Sequence, residues 1–267
     1  MDSAFLGEVA LVTGGNSGIG RATALAFAQR GARVVIASRR PEESAETVQL
    51  IAAAGGDALF VKTDVTQAAQ VEALVASTLA HFGRLDYAVN SAGIGSPPFV
   101  LTEDYPEETW DSVIDINLKG TFLSMKYELP PIVQAKGAIV NIASVAGLRG
   151  GRLGVAYYAS KHGVVGMTRA AALEYADKGV RINAVAPAVI QTPMSQWAIA
   201  GDSAQLARVM QTHPLGRIGN PDEVAQAAVW LCSRAASFTT GHILAVDGGR
   251  LAQSESPKAM PFSERSQ

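Results

Sequence analysis

Short runs of β-branched and apolar residues alternate along the chain with longer segments in which apolar positions recur at helical spacing. The short runs predict seven strands, at residues 9–13, 33–38, 58–62, 87–90, 138–142, 181–185 and 243–246. The longer segments predict helices at residues 17–30, 41–54, 67–82, 106–127, 155–177 and 221–233. This alternation indicates an α/β fold with a parallel sheet, right-handed crossovers and helices on both faces.

Two segments, residues 94–105 and 188–220, interrupt the alternation, but no linker or repeat divides the chain. We therefore expect a single domain over residues 1–250. Residues 251–267 form a polar tail with two prolines, which predicts a segment that frays or is used by a neighbouring subunit.

Composition narrows the class of protein. The chain has 267 residues, 48% of them hydrophobic, and a formal net charge of −2. This is enough apolar material for a full core, and the near-neutral charge argues against nucleic acid or an anionic membrane as a partner. No apolar stretch has the length of a membrane span, the N-terminus has no apolar signal region, and Cys232 has no internal disulfide partner. We expect a cytoplasmic protein.

A candidate acid–base pair stands near the start of the predicted helix 155–177. Tyr157 and Lys161 are four residues apart, so on a helix their side chains share one face. A tyrosine hydroxyl titrates near ~10, and lowering that pKa by about three units requires roughly 4 kcal/mol of phenolate stabilisation. One ammonium about 4 Å away supplies roughly that amount at an effective dielectric near 20. Taken alone, however, this spacing is more typical of a simple pair on a helix surface.

The first strand-to-helix turn has the glycine content of a phosphate-binding loop. Glycines let the backbone approach a pyrophosphate, and the N-terminus of the next helix presents free N–H groups to it. The spacing is Gly14-xxx-Gly18-x-Gly20, which differs from the ordinary dinucleotide pattern G-x-G-x-x-G. A glycine-rich turn alone is weak evidence, but its place after the first strand strengthens it.

The end of the second strand indicates which dinucleotide binds. An NAD site usually has an acidic residue here, whereas a nearby arginine accommodates the 2′-phosphate of NADP. Ser38 and Arg39 stand here in place of an acid. We predict NADP(H) in preference to NAD(H). The plainer alternative is that arginines at a helix start are only solvated charge.

Further motifs follow in order along the chain: Asp64-Val65, Asn90-Ser91-Ala92-Gly93, Asn117, Ser144, Tyr157-xxx-Lys161 and Pro187 through Thr192. Together with the glycine turn, they resemble the short-chain dehydrogenase/reductase family in its compact single-domain branch, over residues 6–250. The resemblance implies a Rossmann-type, doubly wound parallel sheet of seven strands in the order 3-2-1-4-5-6-7. It also implies a nicotinamide cofactor.

The resemblance implies a role for each of four catalytic residues. Tyr157 is the general acid in reduction and the base in alcohol oxidation. Lys161 lowers the tyrosine pKa and holds the nicotinamide ribose hydroxyls. Ser144 hydrogen-bonds the substrate carbonyl and stabilises the developing oxyanion. Asn117 binds a water that links Lys161 to solvent in a proton relay.

The resemblance also implies a set of cofactor contacts. These are Gly14, Asn16, Ser17, Gly18, Ile19, Gly20, Ser38, Arg39, Asp64, Val65, Asn90, Ala92, Gly93, Tyr157, Lys161, Pro187, Val189 and Thr192. Within the set, Asp64 and Val65 contact the adenine. Backbone groups near Val189, with the Thr192 hydroxyl, meet the nicotinamide carboxamide.

Plainer structural roles are also open for several of these residues. Ser144 suits the start of a loop, Asn117 a satisfied polar position within a helix, and Asp64 a turn that caps the next helix. No two histidines have the spacing of metal ligands on a helix, so the four histidines are expected to be structural or exposed. No metal is predicted.

In this class of fold, ligands bind outside the carboxyl ends of the strands. The expected substrate-pocket residues are therefore Ile94, Val145, Ala146, Leu153, Met194 and Trp197. Met194 and Trp197 belong to an apolar set at helical spacing, which predicts either a lid or an amphipathic helix packed on the core or a partner subunit. Arg149 and Arg152 favour an anionic or carrier-bound group, provided that they face the mouth of the site.

We predict reversible hydride transfer between NADP(H) and a ketone or secondary alcohol, with reduction as the physiological direction. The closest alternative is a 3-oxoacyl carrier-protein reductase. A non-catalytic NADP(H)-binding sensor is ranked lower, because a sensor has no need of Ser144, Tyr157 and Lys161. The resemblance also implies a homotetramer, built on the two long helices and the C-terminal segment.

Overall fold

All seven predicted strands form, and they pair in parallel within one sheet. They are β1 (Val9–Thr13), β2 (Arg33–Ser38), β3 (Ala58–Lys62), β4 (Tyr87–Asn90), β5 (Ala138–Ile142), β6 (Arg181–Pro187) and β7 (Ile243–Val246). The order β3-β2-β1-β4-β5-β6-β7 confirms the Rossmann-type order. The strand order reverses between β1 and β4, and at such a switch point the loops diverge and leave a crevice.

The computed structural model describes residues 4–96, 100–196 and 203–253, with side chains from residue 206 onward in the last range. Its helices are α1 (Gly18–Ala28), α2 (Pro41–Ala53), α3 (Ala68–Phe82), α4 (Glu107–Ile114), α5 (Gly120–Ala135), α6 (Val155–Tyr175), α7 (Ser203–Gln211) and α8 (Pro221–Cys232). In these described residues, no helix is long and apolar enough to cross a membrane.

Two cores, one on each face of the sheet, hold the helices in place. Alternate residues of β1 enter opposite cores, with Ala10 and Val12 in the first and Val9 and Leu11 in the second. The first core packs α1 and α8 against the sheet, and the second packs α3, α5 and α6. Because the strands are covered on both faces, they read as continuous apolar runs in the sequence.

The predicted helix 106–127 is longer and less regular in the structure. It consists of α4, a π-helical turn at Asp115–Lys119, and α5, which continues through two prolines to Ala135. An interior proline costs about 3 kcal/mol. Leu129 and Ile132 are buried in the second core, and burial of each contributes about 1.5–3 kcal/mol. Packing therefore stabilises the helix beyond its predicted end.

The segment between β6 and α8 contains a 3₁₀ turn at Pro193–Ser195 and helix α7. A bridge between Ile190 and Gly219 ties the two ends of this segment together beside the sheet. The predicted pocket residue Trp197 lies outside the described residues, as do residues 254–267 of the predicted tail.

Candidate active site

A cleft of about 830 Å³ opens at the carboxyl ends of the strands, where the strand order reverses. Its volume falls in the range of small-molecule sites. The predicted site residues that line it are Gly14, Asn16, Ser17, Gly18, Ile19, Gly20, Ser38, Arg39, Asp64, Val65, Ala92, Gly93, Ile94, Ser144, Val145, Leu153, Tyr157, Lys161, Pro187, Val189, Thr192 and Met194. Three predicted residues, Asn90, Asn117 and Ala146, do not line the cleft.

The glycine turn after β1 forms one part of the cleft wall. Gly14 and Gly18 adopt positive φ values of +69° and +50°, which residues with a side chain rarely accept. A Cβ on Gly14 would lie 2.9 Å from the Ala92 amide nitrogen, and one on Gly20 would overlap the Gly14 carbonyl. Because α1 begins at Gly18, the unpaired N–H groups of its first turn stand at the cleft. This arrangement suits a phosphate.

In the turn after β2, one serine and two arginines make different contacts. Ser38 Oγ accepts a hydrogen bond from the Arg40 N–H at 3.1 Å, so the hydroxyl shapes the turn. Arg40 pairs with Glu43 at 2.9 Å and donates to Ser17 Oγ at 3.1 Å, which joins this turn to the glycine turn. Arg39 is exposed, lines the cleft, and makes no hydrogen bond or ion pair within the described residues. Arg39 is therefore the side chain available to an anion.

Positive charge dominates the described residues that line the cleft. The lining cations are Arg39, Arg40, Lys161 and Arg250, and the lining acid is Asp64. Asp64 Oδ1 accepts from the Thr66 N–H at 3.0 Å and from its hydroxyl at 2.8 Å, so the residue also orders a turn. The excess of cations and the open glycine turn suit an anionic ligand, as a nicotinamide dinucleotide is.

Tyr157 and Lys161 lie on the first two turns of α6, and both line the cleft. Lys161 Nζ donates to the Ile142 carbonyl at 2.9 Å, at the end of β5, and lies 5.7 Å from the centroid of the Tyr157 ring. Burial lowers the pKa of Lys161 to about 8. The neighbouring Tyr158 is not among the residues that line the cleft.

Burial also shifts the pKa of the Tyr157 hydroxyl. It raises the tyrosine pKa above the ordinary value of 10.0, and the hydrogen bond with Ser144 opposes the rise. The net direction is opposite to the lowering expected from Lys161, because burial has the larger effect on the pKa of this hydroxyl. The hydroxyl is therefore protonated at neutral pH, which is the form that donates a proton.

Ser144 combines the two roles open to it. It follows β5 in an extended conformation and caps a 3₁₀ turn at Val145–Gly147 by accepting from the Ala146 N–H at 3.1 Å. The same hydroxyl interacts with Tyr157, so the cap fixes its position beside the acid. Ala146 supplies this N–H, and its buried side chain does not line the cleft.

Asn117 lies in the π-helical turn between α4 and α5 and is fully buried. Its amide Nδ2 donates to the Ile94 carbonyl at 3.0 Å and to Ser160 Oγ at 3.3 Å, and its Oδ1 accepts from the Ile94 N–H at 2.8 Å. The position that a Cβ would take on Gly93 lies 3.2 Å from Asn117 Oδ1 and 3.9 Å from Lys161 Nζ. Asn117 therefore stands directly behind the cleft wall, between the loop after β4 and the lysine.

Asn90 ends β4, but its side chain turns away from the cleft. Its Nδ2 donates to Glu128 Oε2 at 3.0 Å and to Asn141 Oδ1 at 3.1 Å, and Asn141 donates in turn to Thr168 Oγ1 at 2.9 Å. These buried side chains brace β4 and β5 against α5 and α6. Burial raises the pKa of the Glu128 carboxyl to about 8.

The loop after β6 closes against the glycine turn. The Thr192 methyl lies 3.1 Å from the position that a Cβ would take on Gly18. The Val189 N–H donates to His213 Nε2 at 3.4 Å, and the Val189 carbonyl accepts from the Gly219 N–H at 3.0 Å. Both Val189 backbone groups expected at a carboxamide are thus engaged within the protein. The buried His213 therefore has a structural role in this loop, which is one of the two roles expected of the histidines.

Apolar side chains complete the cleft beside Ser144 and Tyr157. They are Ile94, Val145, Leu153 and Met194. The cleft is also lined by Ser96 and Arg250, which the sequence pattern does not single out because they lie in irregular segments. The sequence feature that could have indicated Arg250 as a cleft residue is its position just after β7, at the carboxyl edge of a parallel sheet. Within the ranges the structure describes, no group of three or more His, Cys, Asp or Glu side chains is placed to hold a metal ion.

Comparisons with known proteins agree with this fold. A family model described as "Enoyl-(Acyl carrier protein) reductase" matches residues 14–250. The chain is 46% identical over 245 residues to 2,5-dichloro-2,5-cyclohexadiene-1,4-diol dehydrogenase of Sphingobium indicum, covering 91% of this chain and 96% of that one. It is 46% identical over 249 residues to cyclohexanol dehydrogenase of an Acinetobacter species, covering 93% and 96%.

A solved structure, that of levodione reductase, matches with a TM-score of 0.89 at 37% identity and covers 93% of this chain and 99% of that one. An α/β sheet with a glycine turn and a cleft-facing tyrosine–lysine pair defines a nicotinamide-dependent oxidoreductase class. The chain belongs to the short-chain dehydrogenase/reductase family.

Proposed function

We propose that the protein catalyses reversible hydride transfer between NADP(H) and a ketone or secondary alcohol, with Tyr157 as general acid and base. The observation that carries this proposal is the meeting of Ser144, Tyr157 and Lys161 in one cleft with the glycine turn. The names of the two relatives at 46% identity both concern ring alcohols, which supports a substrate whose reacting carbon belongs to a ring.

The nicotinamide, when bound, supplies or accepts the hydride at the substrate carbon. Tyr157 donates its hydroxyl proton to the substrate oxygen during reduction and removes the alcohol proton during oxidation. Ser144 donates a hydrogen bond to the same oxygen and stabilises the negative charge that develops there. Lys161 remains anchored on the Ile142 carbonyl, and its positive charge stabilises the phenolate that Tyr157 becomes. The raised pKa of Tyr157 keeps its hydroxyl protonated at neutral pH, as the proton-donating step requires.

The preference for NADP(H) rests on Arg39. This guanidinium lines the cleft next to the end of β2 and is free of ion pairs within the described residues, so it is available to a 2′-phosphate. Arg40 also lines the cleft, but it is engaged with Glu43 and Ser17. A 3-oxoacyl carrier-protein reductase is the second candidate, supported by the exposed Arg149 and Arg152 on the loop after Ser144. Such cations suit the phosphate of a carrier arm.

A substrate panel tests the proposal. Purified protein is assayed with cyclohexanol, cyclohexanone, an open-chain ketone and an acetoacetyl thioester, each with the NADP and the NAD couple in parallel. We expect turnover of the ring compounds, with kcat/KM at least about tenfold higher for the NADP couple, a difference of about 1.4 kcal/mol. Turnover of the thioester alone would favour the carrier-protein reductase. An NADH preference would overturn the argument from Arg39, and no turnover at all would overturn the enzymatic function.

The proposal extends to assembly. We propose a cytoplasmic homotetramer in which residues 1–250 of each chain form one domain. Large apolar side chains stand exposed on the helices implicated by the family resemblance, with Phe122 on α5 at 49% and Leu173 on α6 at 81% of full exposure. Exposed apolar groups on neighbouring helices are typical of subunit interfaces.

A further inference from the structure

One cation in the cleft wall has no part in the proposed hydride transfer. Arg250 follows β7 and the turn Asp247-Gly248-Gly249, and its side chain lines the cleft together with Leu153 and Met194. Its Nε atom is buried and has no hydrogen-bond partner within the described residues. A buried donor without a partner is costly in a folded protein. Arg250 is therefore a cation of the cleft wall that has no ion pair within the described residues.

The nearest acid does not neutralise Arg250. Asp247 Oδ1 accepts from the Gly249 N–H at 2.9 Å, and its Oδ2 accepts from the Leu251 N–H at 2.7 Å. The Asp247 carboxylate thus orders the turn after β7 and makes no ion pair with Arg250 within the described residues.

Arg149 brings a second positive charge near Arg250. Burial lowers the pKa of Arg250, and the nearby Arg149 lowers it further, while Tyr158 and Asp247 oppose this. Arg149 also acts on Tyr158, whose hydroxyl receives a hydrogen bond from the Leu153 backbone. Arg149 is exposed on the loop between Ser144 and Leu153, and Leu153 lines the cleft. An anion at this side of the cleft is attracted by both positive charges.

We propose that Arg250, with Arg149, forms a subsite that binds a carboxylate carried by the ketone or alcohol substrate. The inference rests on the proposed function, because it assigns a chemical class to the substrate of that same cleft. A guanidinium matches a carboxylate in shape, presenting two parallel N–H donors to two oxygens. Apolar walls at Ile94, Val145 and Met194 in the same cleft receive the ring. The substrate class is thus a ring ketone or alcohol that bears a carboxylate away from the reacting carbon.

The sequence offers a matched control on the same loop. Arg149 and Arg152 are both exposed and lie three residues apart, and the charge of Arg149 lowers the pKa of both Arg250 and Tyr158. The subsite therefore predicts a different response at these two positions. A non-specific attraction between a basic loop and an anionic substrate predicts the same response at both.

The test compares 4-oxocyclohexanecarboxylate with its methyl ester, which has the same ring and ketone but no charge. Both are reduced with NADPH by the wild type and by the Arg250→Gln, Arg250→Lys, Arg149→Gln and Arg152→Gln variants. We expect the wild type to prefer the acid, with the ratio of acid to ester kcat/KM falling at least tenfold in R250Q. The ratio falls severalfold in R149Q, is partly retained in R250K and is unchanged in R152Q. The loss appears in KM rather than in kcat, because the subsite binds the substrate without touching the reacting atoms.

A second measurement does not depend on turnover. Cyclohexanecarboxylate, which lacks the carbonyl, is added to the protein with NADPH, and the thermal midpoint is compared with that in cyclohexanecarboxamide. We expect the carboxylate alone to raise the midpoint of the wild type, with the rise lost in R250Q. This comparison also detects a variant that fails to fold, because its midpoint is low before any ligand is added.

The outcomes distinguish the subsite from the proposed function. Equal kcat/KM for acid and ester in the wild type, or an equal loss for both in R250Q, overturns the subsite and leaves the reductase intact. An equal effect of R149Q and R152Q overturns it as well, in favour of general attraction by the loop. If neither ketone is reduced and cyclohexanecarboxylate does not shift the midpoint, the subsite fails together with the function on which it rests. A carboxylate shift without reduction keeps the subsite and refutes the reaction.

Discussion

Asn117 and Ile94 exchange two hydrogen bonds, side chain to backbone. The Ile94 N–H donates to Asn117 Oδ1 at 2.8 Å, and Asn117 Nδ2 donates to the Ile94 carbonyl at 3.0 Å. The asparagine belongs to a π-helical turn, and such turns are frequent at functional sites. The amide therefore pins the loop after β4, which is one wall of the cleft, to the helix behind it.

This relationship predicts the effect of removing the amide. Asn117→Ala leaves the partly buried N–H and carbonyl of Ile94 without partners, at a cost of about 2–4 kcal/mol for the two groups. We expect a matching loss in the free energy of unfolding, measured with urea, and a higher KM for the substrate. Asn117→Asp keeps the acceptor and should retain part of the stability. An unchanged unfolding midpoint in N117A would show that the loop is held by other contacts.

Removal of the Tyr157 hydroxyl is expected to reduce turnover without weakening the binding of NADPH. Tyr157→Phe removes the proton donor but keeps the ring, so we expect kcat to fall by about 10²–10⁴-fold. The dissociation constant for NADPH, measured by fluorescence, should change by less than about threefold. Tyr158→Phe is the matched control, because Tyr158 does not line the cleft, and it should retain turnover. Full activity in Y157F would refute the proposed acid.

Arg39 predicts a change in cofactor preference. Replacing this cation by alanine removes the charge available to a 2′-phosphate, so we expect the dissociation constant for NADPH to rise at least about tenfold, or about 1.4 kcal/mol. NADH lacks that phosphate, and its affinity should change little. The exposed Arg169 on α6, changed to alanine, controls for a general loss of positive charge. A parallel loss for both cofactors in R39A would contradict a contact with the 2′-phosphate.

Glu128 predicts a pH dependence of stability. Its pKa in the folded chain is raised from 4.5 to about 8, so the folded state binds this proton more tightly than the unfolded state. The contribution to stability is therefore fully present below the ordinary pKa and is lost as the pH rises toward about 8. The slope is at most about 1.4 kcal/mol per pH unit.

Glu128→Gln keeps the shape of the side chain and removes its titration. We expect the stability of wild type relative to E128Q to decline from pH 5 to pH 8 and then to level off. Urea unfolding of both proteins across this range measures the difference. Parallel curves for the two proteins would show that titration of Glu128 does not change the stability.

The exposed apolar side chains on α5 and α6 predict that the chains assemble into a tetramer. Leu173→Glu places a charge on α6 where 81% of the leucine is exposed, so we expect the tetramer to dissociate into smaller species by light scattering. Leu6→Glu changes a leucine that is 76% exposed but lies near the N-terminus, and it should leave the mass unchanged. A monomeric wild type would refute the assembly at once.

The strands and the cleft were predictable because their signals are local. Each buried strand is a continuous apolar run, and parallel strands bring their carboxyl ends to one edge, so glycine turn, Ser144 and Tyr157 were expected to meet. The extension of α5 past its prolines was not predictable, since it depends on packing of Leu129 and Ile132 in the second core.

The direction of a side chain is the part that sequence does not specify. Asn90 ends a strand at the edge of the cleft, yet its amide turns inward to Glu128 and Asn141, which come from distant parts of the chain. Arg250 and His213 lie in irregular segments without periodicity, so only the folded chain shows that one lines the cleft and the other holds Val189.

The anchoring of Lys161 has a consequence for protein design. Its ammonium rests on the carbonyl of Ile142, the last residue of β5, rather than on a group of its own helix. A designed helix that carries tyrosine and lysine at the same spacing therefore lacks the part that fixes the lysine. Transplanting this chemistry to another scaffold requires a strand that ends against the first turns of the helix and presents an accepting carbonyl there.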